Sequence, residues 1–428
     1  MSWKKFLLSI NSIGILLLWL GPPLIYFLKA LIMPNSSSFL FTGFFYGLGI
    51  CLMLITVNNK LGFLPNLHLL LFGGVFFFIS QLYLFLYNFE RQSFNLDVFS
   101  LILILLYFLF LLKTDNEIKD IIPFWILIFT LIINFSLLYS ISTNPLYSFG
   151  VRATVQFGTD DYTGNPYIYA KNGFAGFIIS TLLLKFRNSP IKYYSNFFVQ
   201  FFSHANLWIS VAVIFLTQTR SMFLSFAIIL IPLLFLSRNY SVQKVTLKIN
   251  YAFYLFYSFL MVLFIFFNAK YSILEVISNI FSHSYETFSG AIRTALSMGT
   301  ISQDSSAMSR VFTLEYLIKI IQERPELLLI GGGYRFLYLD IPVLEVLINF
   351  GILNFIFYLV FTFYLFKFSM RAIFSSNVFQ IFLGYMSVQL FIASFTSGRP
   401  LDFSFWISYL IFIRFFENDI TILKPKAI

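Results

Sequence analysis

An all-α protein that crosses a membrane many times is the fold class this chain predicts, and three observations carry it. Of the 428 residues, 59% are hydrophobic and only 11% are charged, a composition that suits lipid as the surrounding solvent. Mean hydropathy is +0.84, and apolar runs recur at lengths near the roughly 20 residues a helix needs to cross a bilayer. The basic residues fall loop by loop between those runs. The whole chain, 1–428, therefore reads as one membrane domain rather than as several soluble ones.

Composition also sets exclusions. The single cysteine, Cys51, lies inside an apolar run, so neither an intramolecular disulfide nor a cysteine-built metal site can form. His68, His204 and His283 are scattered. Neither a metal nor another cofactor is expected. The formal charge of +10 is not arranged as a stripe interleaved with exposed aromatics, so the bilayer, and not nucleic acid, is the expected partner surface. Lys4 and Lys5 precede an apolar run without a small-residue cleavage site, and the run continues through Gly21-Pro22-Pro23 toward Met33; a retained first span is expected there.

Twelve candidate spans follow, near 6–32, 38–57, 67–87, 97–112, 121–140, 171–186, 196–216, 220–236, 250–268, 341–366, 377–395 and 402–416. An even number puts both termini on one side. Loops on that side hold Lys60, Lys113, Lys119, Lys185, Arg187, Lys192, Arg238, Lys244, Lys248, Lys367 and Arg371. With Lys4, Lys5, Arg414, Lys424 and Lys426 they account for sixteen of the 28 basic residues. The positive-inside bias then predicts cytoplasmic termini.

Two long loops, 141–171 and 269–340, face outward in that topology. The first is rich in Tyr, Gly and Asn and contains Arg152 and the pair Asp160-Asp161. The second is more ordered: over 306–323, Val311, Leu314, Leu317 or Ile318, and Ile321 recur at helical spacing, with Glu315, Lys319 and Gln322 on another face. A capping Ser305 or Ser306 and the following Pro325 bound this stretch, which predicts an amphipathic helix on the bilayer surface or over the bundle mouth.

Arginine on the outer face runs against the usual bias and needs a partner. Arg293, Arg310, Arg324 and Arg335 share the second loop, and Arg220 sits in Leu216-Thr217-Gln218-Thr219-Arg220-Ser221, where an apolar stretch too long for one crossing must turn as a tight hairpin. A guanidinium there either grips an anion or snorkels to the interface. Gly331-Gly332-Gly333-Tyr334-Arg335 allows two readings as well, a plain turn or a backbone cradle for phosphate flanked by forked arginines.

The order of these features, from Arg152 through Asn172-Gly173-Phe174-Ala175, Thr219-Arg220, Ser309-Arg310, a helix, Pro325, Gly331 to Gly333 and Gly351, resembles the O-antigen polymerase and O-antigen ligase superfamily over residues 150–365. The resemblance implies a GT-C-like multispanning glycosyltransferase of the bacterial cytoplasmic membrane, acting at the outer leaflet on undecaprenyl-diphosphate-linked oligosaccharides, with a chain-length regulator as a possible partner. Ligases of that superfamily carry a histidine shortly after the glycines; Asp340 takes its place here, with Leu344, Leu347 and Gly351 at the matching offsets. That departure favours a polymerase over a ligase.

The expected chemistry needs no metal: departure of a lipid diphosphate is stabilised by fixed cations. Arg220 and Arg310 are the expected catalytic cations, with Arg152, Arg335, Asn172, Gly331, Gly333 and Tyr334 binding diphosphate or sugar. Asp340, Asp160, Asp161 or Glu315 can take the acceptor's proton, although Asp340 can instead cap the span that follows and Glu315 suits a solvated helix face. A ligase joining glycan to lipid A core or protein is the enzymatic alternative. A lipid-linked oligosaccharide flippase is the alternative of another class, and it should line a two-sided cavity with its cations.

Overall fold

The computed structural model describes residues 3–33, 39–55, 66–87, 93–144, 147, 152–155, 165–186, 192–219, 221–229, 315–339, 341–396 and 398–416. Every regular element among them is helical: α1 (Trp3–Trp19), α2 (Pro22–Ile32), α3 (Phe39–Leu54), α4 (Leu67–Tyr87), α5 (Phe94–Leu112), α6 (Ile118–Thr143), α7 (Pro166–Lys185), α8 (Phe197–Thr217), a single turn α9 (Leu327–Ile330), α10 (Pro342–Ile373), α11 (Val378–Thr396) and α12 (Phe403–Phe415). Residues 221–229 and 315–323 are also helical. Seven of these helices are long and apolar enough to cross a membrane, or eight if the bent pair α1 and α2 makes one span. The chain is thus a multi-pass helical membrane protein. The candidate span 250–268 lies outside the described residues.

Three boundaries differ from expectation, each for a local reason. The first run is not one straight span: α1 and α2 meet at 75°, because Pro22 and Pro23 donate no amide hydrogen and start a new helix rather than extend the old one. The first long loop is shorter than 141–171 at both ends. Helix α6 continues to Thr143, and α7 begins at Pro166, where Asn165 caps it by accepting from the Tyr167 amide at 2.9 Å. Lys171 and Asn172 therefore sit in the second turn of α7, not at its mouth. Third, the long α10 is broken at Gly351, whose φ of 72° and ψ of 176° no helix interior adopts.

That break is built by the glycine triplet. Gly332 and Gly333 donate their amides to the carbonyls of Ile348 and Asn349 at 2.8 and 2.9 Å, so the loop seats on the very turn where α10 loses its own bonds. A Cβ on Gly331 would stand 2.5 Å from the Asn349 carbonyl oxygen, and one on Gly351 would collide with the Leu329 carbonyl. The Asn349 side chain completes the seat by accepting from the Leu337 amide at 2.9 Å and donating to its carbonyl at 3.1 Å.

Lipid tails give helices no hydrophobic reason to associate, so close backbone approach and polar contacts must hold the bundle together. Glycines serve the first need where α1 crosses α3: a Cβ on Gly14 would lie 2.7 Å from the Gly49 carbonyl oxygen. Polar side chains serve the second between α6, α7 and α8. Asn134 donates to Asn206 at 3.0 Å and to Ser210 at 2.9 Å, Asn172 donates to Asn134 at 2.9 Å, and Asn206 donates to Thr130 at 2.9 Å. All five are buried.

The two ends of the bundle differ. At one, the buried Arg414 of α12 donates to the carbonyl of Leu111 at 3.0 Å, to Asn116 at 2.9 Å and to the carbonyl of Thr114 at 2.6 Å, holding the α5–α6 turn. Lys4 pairs with Glu117 at that same end. At the other end begin α5, α7, α10 and α12, and there the charges gather.

Candidate functional site

Loop 331–339 docks on this second end. The Tyr83 hydroxyl near the end of α4 donates to the Ile330 carbonyl, and the helix at 315–323 packs Leu317 with Leu339 and Ile348 in a small buried cluster. The surface helix expected over 306–323 is thus helical where it is described, with Leu317 and Ile320 inward and Ile318 outward. Glu315 stands on its exposed face.

Beneath the loop is a cavity of about 290 Å³. Its α5 wall presents Asp97, Ser100, Leu101 and Ile104, positions spaced to share one helix face. From Asp97 to Ile104 that face descends roughly 10 Å at 1.5 Å per residue, passing from charge to hydrocarbon. Tyr334 and Arg335 come from the loop, and Asp402 and Ser404 from the start of α12. The arrangement suits an amphiphile with a polar head.

Arg335 Nη1 stands 2.8 Å from Asp97 Oδ1, an ion pair between loop 331–339 and α5 in which the Asp97 side chain is 3% exposed and that of Arg335 27%. Ser93 adds its hydroxyl to the other Asp97 oxygen at 3.2 Å. Arg335 takes a φ of 53° to reach this position and lies 5.7 Å from the centre of the Tyr334 ring. Burial pushes the Tyr334 hydroxyl up to about 12, with Arg335 pulling the other way, so at neutral pH the phenol is a hydrogen-bond donor.

Further charges surround this pair. Arg399 lies 4.3 Å above the Tyr338 ring, joining the α11–α12 turn to loop 331–339. Glu345, in the first turn of α10 and 2% exposed, accepts from the Leu339 amide at 3.4 Å and interacts with Arg399 and Arg335. Lys171 of α7 donates to Ser408 at 3.3 Å and faces Asp402. Three cations and three carboxylates therefore meet where four helices begin.

The sequence-based candidates divide among three places. Tyr334 and Arg335 belong to the cavity. Arg152 is exposed beside the tip of α8, because the amide of Ala153 donates to the Leu216 carbonyl at 2.9 Å. Beyond α8 Gln218 takes a left-handed φ of 47° and Phe223 lies 5.4 Å from Phe215; the expected hairpin at 216–221 passes through a residue outside the described ones. Asn172 is engaged in the α6–α7–α8 network. The amides of Gly331 and Gly333 are engaged as well, with Leu327 and Asn349 carbonyls, so these glycines serve backbone approach. The α10 N-cap falls on Ile341. Arg220, Arg310 and Asp340, with Asp160 and Asp161, lie outside the described residues.

Asp97, Lys171, Glu345 and Asp402 escaped the sequence reading, although each is an ionisable residue at the end of an apolar run, where charge is costly enough to suggest a function. Comparison of the chain with protein-family models, and with curated proteins, gives no match.

Proposed function

We propose that this protein is a surface-polysaccharide polymerase of the O-antigen type. It transfers a growing glycan from its undecaprenyl diphosphate carrier to an incoming lipid-linked repeat unit, without a metal. The observation that carries this reading is the one-ended distribution of charge: Asp97, Arg335 and Asp402 line a cavity whose α5 wall continues through Leu101 to Ile104, and Lys171, Arg399 and Glu345 act on the same cluster from nearby. An anionic head on a lipid carrier matches that wall, and fixed cations aimed at a departing diphosphate are usually the largest catalytic contribution.

In this reading the chain has about twelve spans in a GT-C-like arrangement, both termini are cytoplasmic, and the cavity end meets the outer leaflet. Arg152, Arg220, Arg310 and Arg335 hold diphosphates, and a chain-length regulator can bind alongside. A flippase is disfavoured by the opposite end of the bundle, where the buried Arg414 is engaged with the α5–α6 turn.

The test is elongation of a defined undecaprenyl-diphosphate-linked repeat by full-length protein in nanodiscs. Wild type is expected to yield a ladder in excess chelator, and Arg220→Lys or Arg310→Lys to abolish it at normal protein abundance, since an ammonium cannot reproduce a bidentate guanidinium fork. Normal ladders from both variants would sink the reading. Transfer to lipid A core in place of a second repeat would make the protein a ligase.

A further inference from the structure

The two carboxylates that line the cavity are held differently. Asp97 is committed to Arg335 at 2.8 Å. Asp402 occupies the N-cap position of α12, yet its side chain does not cap that helix. By contrast, Asn165 and Asn196 at the starts of α7 and α8 each accept the expected amide at 2.9 Å. The Asp402 carboxylate instead lies within the fields of Arg335, Arg399 and Lys171. It lines the cavity beside Ser404 and Tyr334.

A carboxylate at a cap position that forgoes the cap gives up part of the helix's stability. Its surroundings supply what a proton acceptor needs. Burial holds the Asp402 carboxyl above its ordinary range, while Arg335 from loop 331–339, Arg399 from its own turn and Lys171 from α7 pull the other way; Glu345 of α10 couples to it as a like charge, and Asp97 of α5 lines the same cavity. Among the described residues none of the three cations closes to ion-pair distance on it.

We propose that Asp402 is the catalytic carboxylate that takes the proton from the acceptor sugar's hydroxyl. The assignment rests on the polymerase reading. In the step, the acceptor oxygen bonds to the anomeric carbon of the donor glycan as the bond from that carbon to the diphosphate oxygen breaks. The electron pair leaves with the diphosphate, and the hydroxyl proton passes to Asp402.

The test uses the same nanodisc assay, with turnover followed across pH. Wild-type turnover is expected to rise with pH through one ionisation, because the base must be unprotonated. Asp402→Asn is expected to lower kcat by roughly 10²–10⁴-fold, the usual contribution of general-base catalysis, with substrate affinity unchanged and the pH dependence gone from the residual rate. Asp402→Glu should restore part of the rate and the ionisation. Lys171→Met, which removes a cation facing the carboxylate, should move the ionisation to higher pH. Turnover near wild type in Asp402→Asn overturns the assignment, as does loss of the ionisation in Asp340→Asn but not in Asp402→Asn. If Asp402→Asn does not fold, an Asp402→Glu protein that folds and binds substrate but shows no ionisation overturns it too. A wild-type protein that elongates nothing removes the polymerase reading itself, whereas an active wild type with an active Asp402→Asn removes only this assignment.

Discussion

Arg335 bears two costs that only its surroundings can offset. Its φ of 53° is a left-handed conformation for a residue with a side chain, worth about 1–3 kcal/mol of strain, and its guanidinium is set against a carboxylate that is 3% exposed. Removing one partner of a fully buried pair costs about 3–5 kcal/mol, because the other charge is left behind, and with Arg335 27% exposed the cost here lies below that range. Arg335→Ala should therefore lower the melting temperature and yield of the detergent-purified protein. Adding Asp97→Asn should recover both, since the stranded charge is gone. Polymer should stay absent in the double variant if Arg335 also grips diphosphate, and a melting temperature unmoved by Arg335→Ala would show the pair to be energetically idle. Arg335 was legible in the sequence as an arginine on an outward loop, but its partner was not. Asp97 opens an apolar run, where an acid in the first helical turn already has a local reason to exist, and no local pattern says which distant loop will dock on it.

Hydropathy made most helices legible because each run must be long enough for the bilayer and little else. The expected 67–87 and 196–216 correspond to α4 and α8 within a residue. What the runs conceal is where a helix breaks, since Gly21-Pro22 and Gly351 leave the apolar average unchanged. The break in α10 depends on backbone pressed against backbone, so Gly351→Ala should be far more damaging than its one carbon suggests. Its φ of 72° and ψ of 176° lie in a region that is essentially glycine-only, at about 1–3 kcal/mol, and the added carbon also meets the Leu329 carbonyl. Thermal unfolding should show loss of loop 331–339 docking, and a Gly351→Ala protein with unchanged stability would refute the seat described above. The asparagine network predicts a milder result. Hydrogen bonds between membrane helices average about 0.6 kcal/mol, so Asn172→Ala should cost on the order of 1 kcal/mol with KM unchanged. A raised KM at unchanged stability would return Asn172 to the substrate site that the sequence first suggested.

At the scale of the whole molecule, one asymmetry does most of the explaining. Charges at the Lys4 end are spent on structure, with Arg414 gripping carbonyls and Lys4 meeting Glu117, whereas at the other end Asp97, Arg335 and Asp402 line a cavity. Loop charges alone predict which end faces the cytoplasm, because translocating lysine and arginine is disfavoured. They could not predict the cavity, which exists only once four helix starts and a loop are brought together. The orientation can be measured directly. In a Cys51→Ser background, Ser142→Cys marks the exposed cavity-end tip of α6, and Trp3→Cys, 72% exposed, marks the opposite end. A membrane-impermeant maleimide applied to intact spheroplasts should label the first and reach the second only after permeabilisation. The reverse pattern would turn the cavity toward the cytoplasm, where a glycan carrier in the outer leaflet could not present its diphosphate to Arg335, and a polymerase working at that leaflet would be ruled out however the arginine variants behaved.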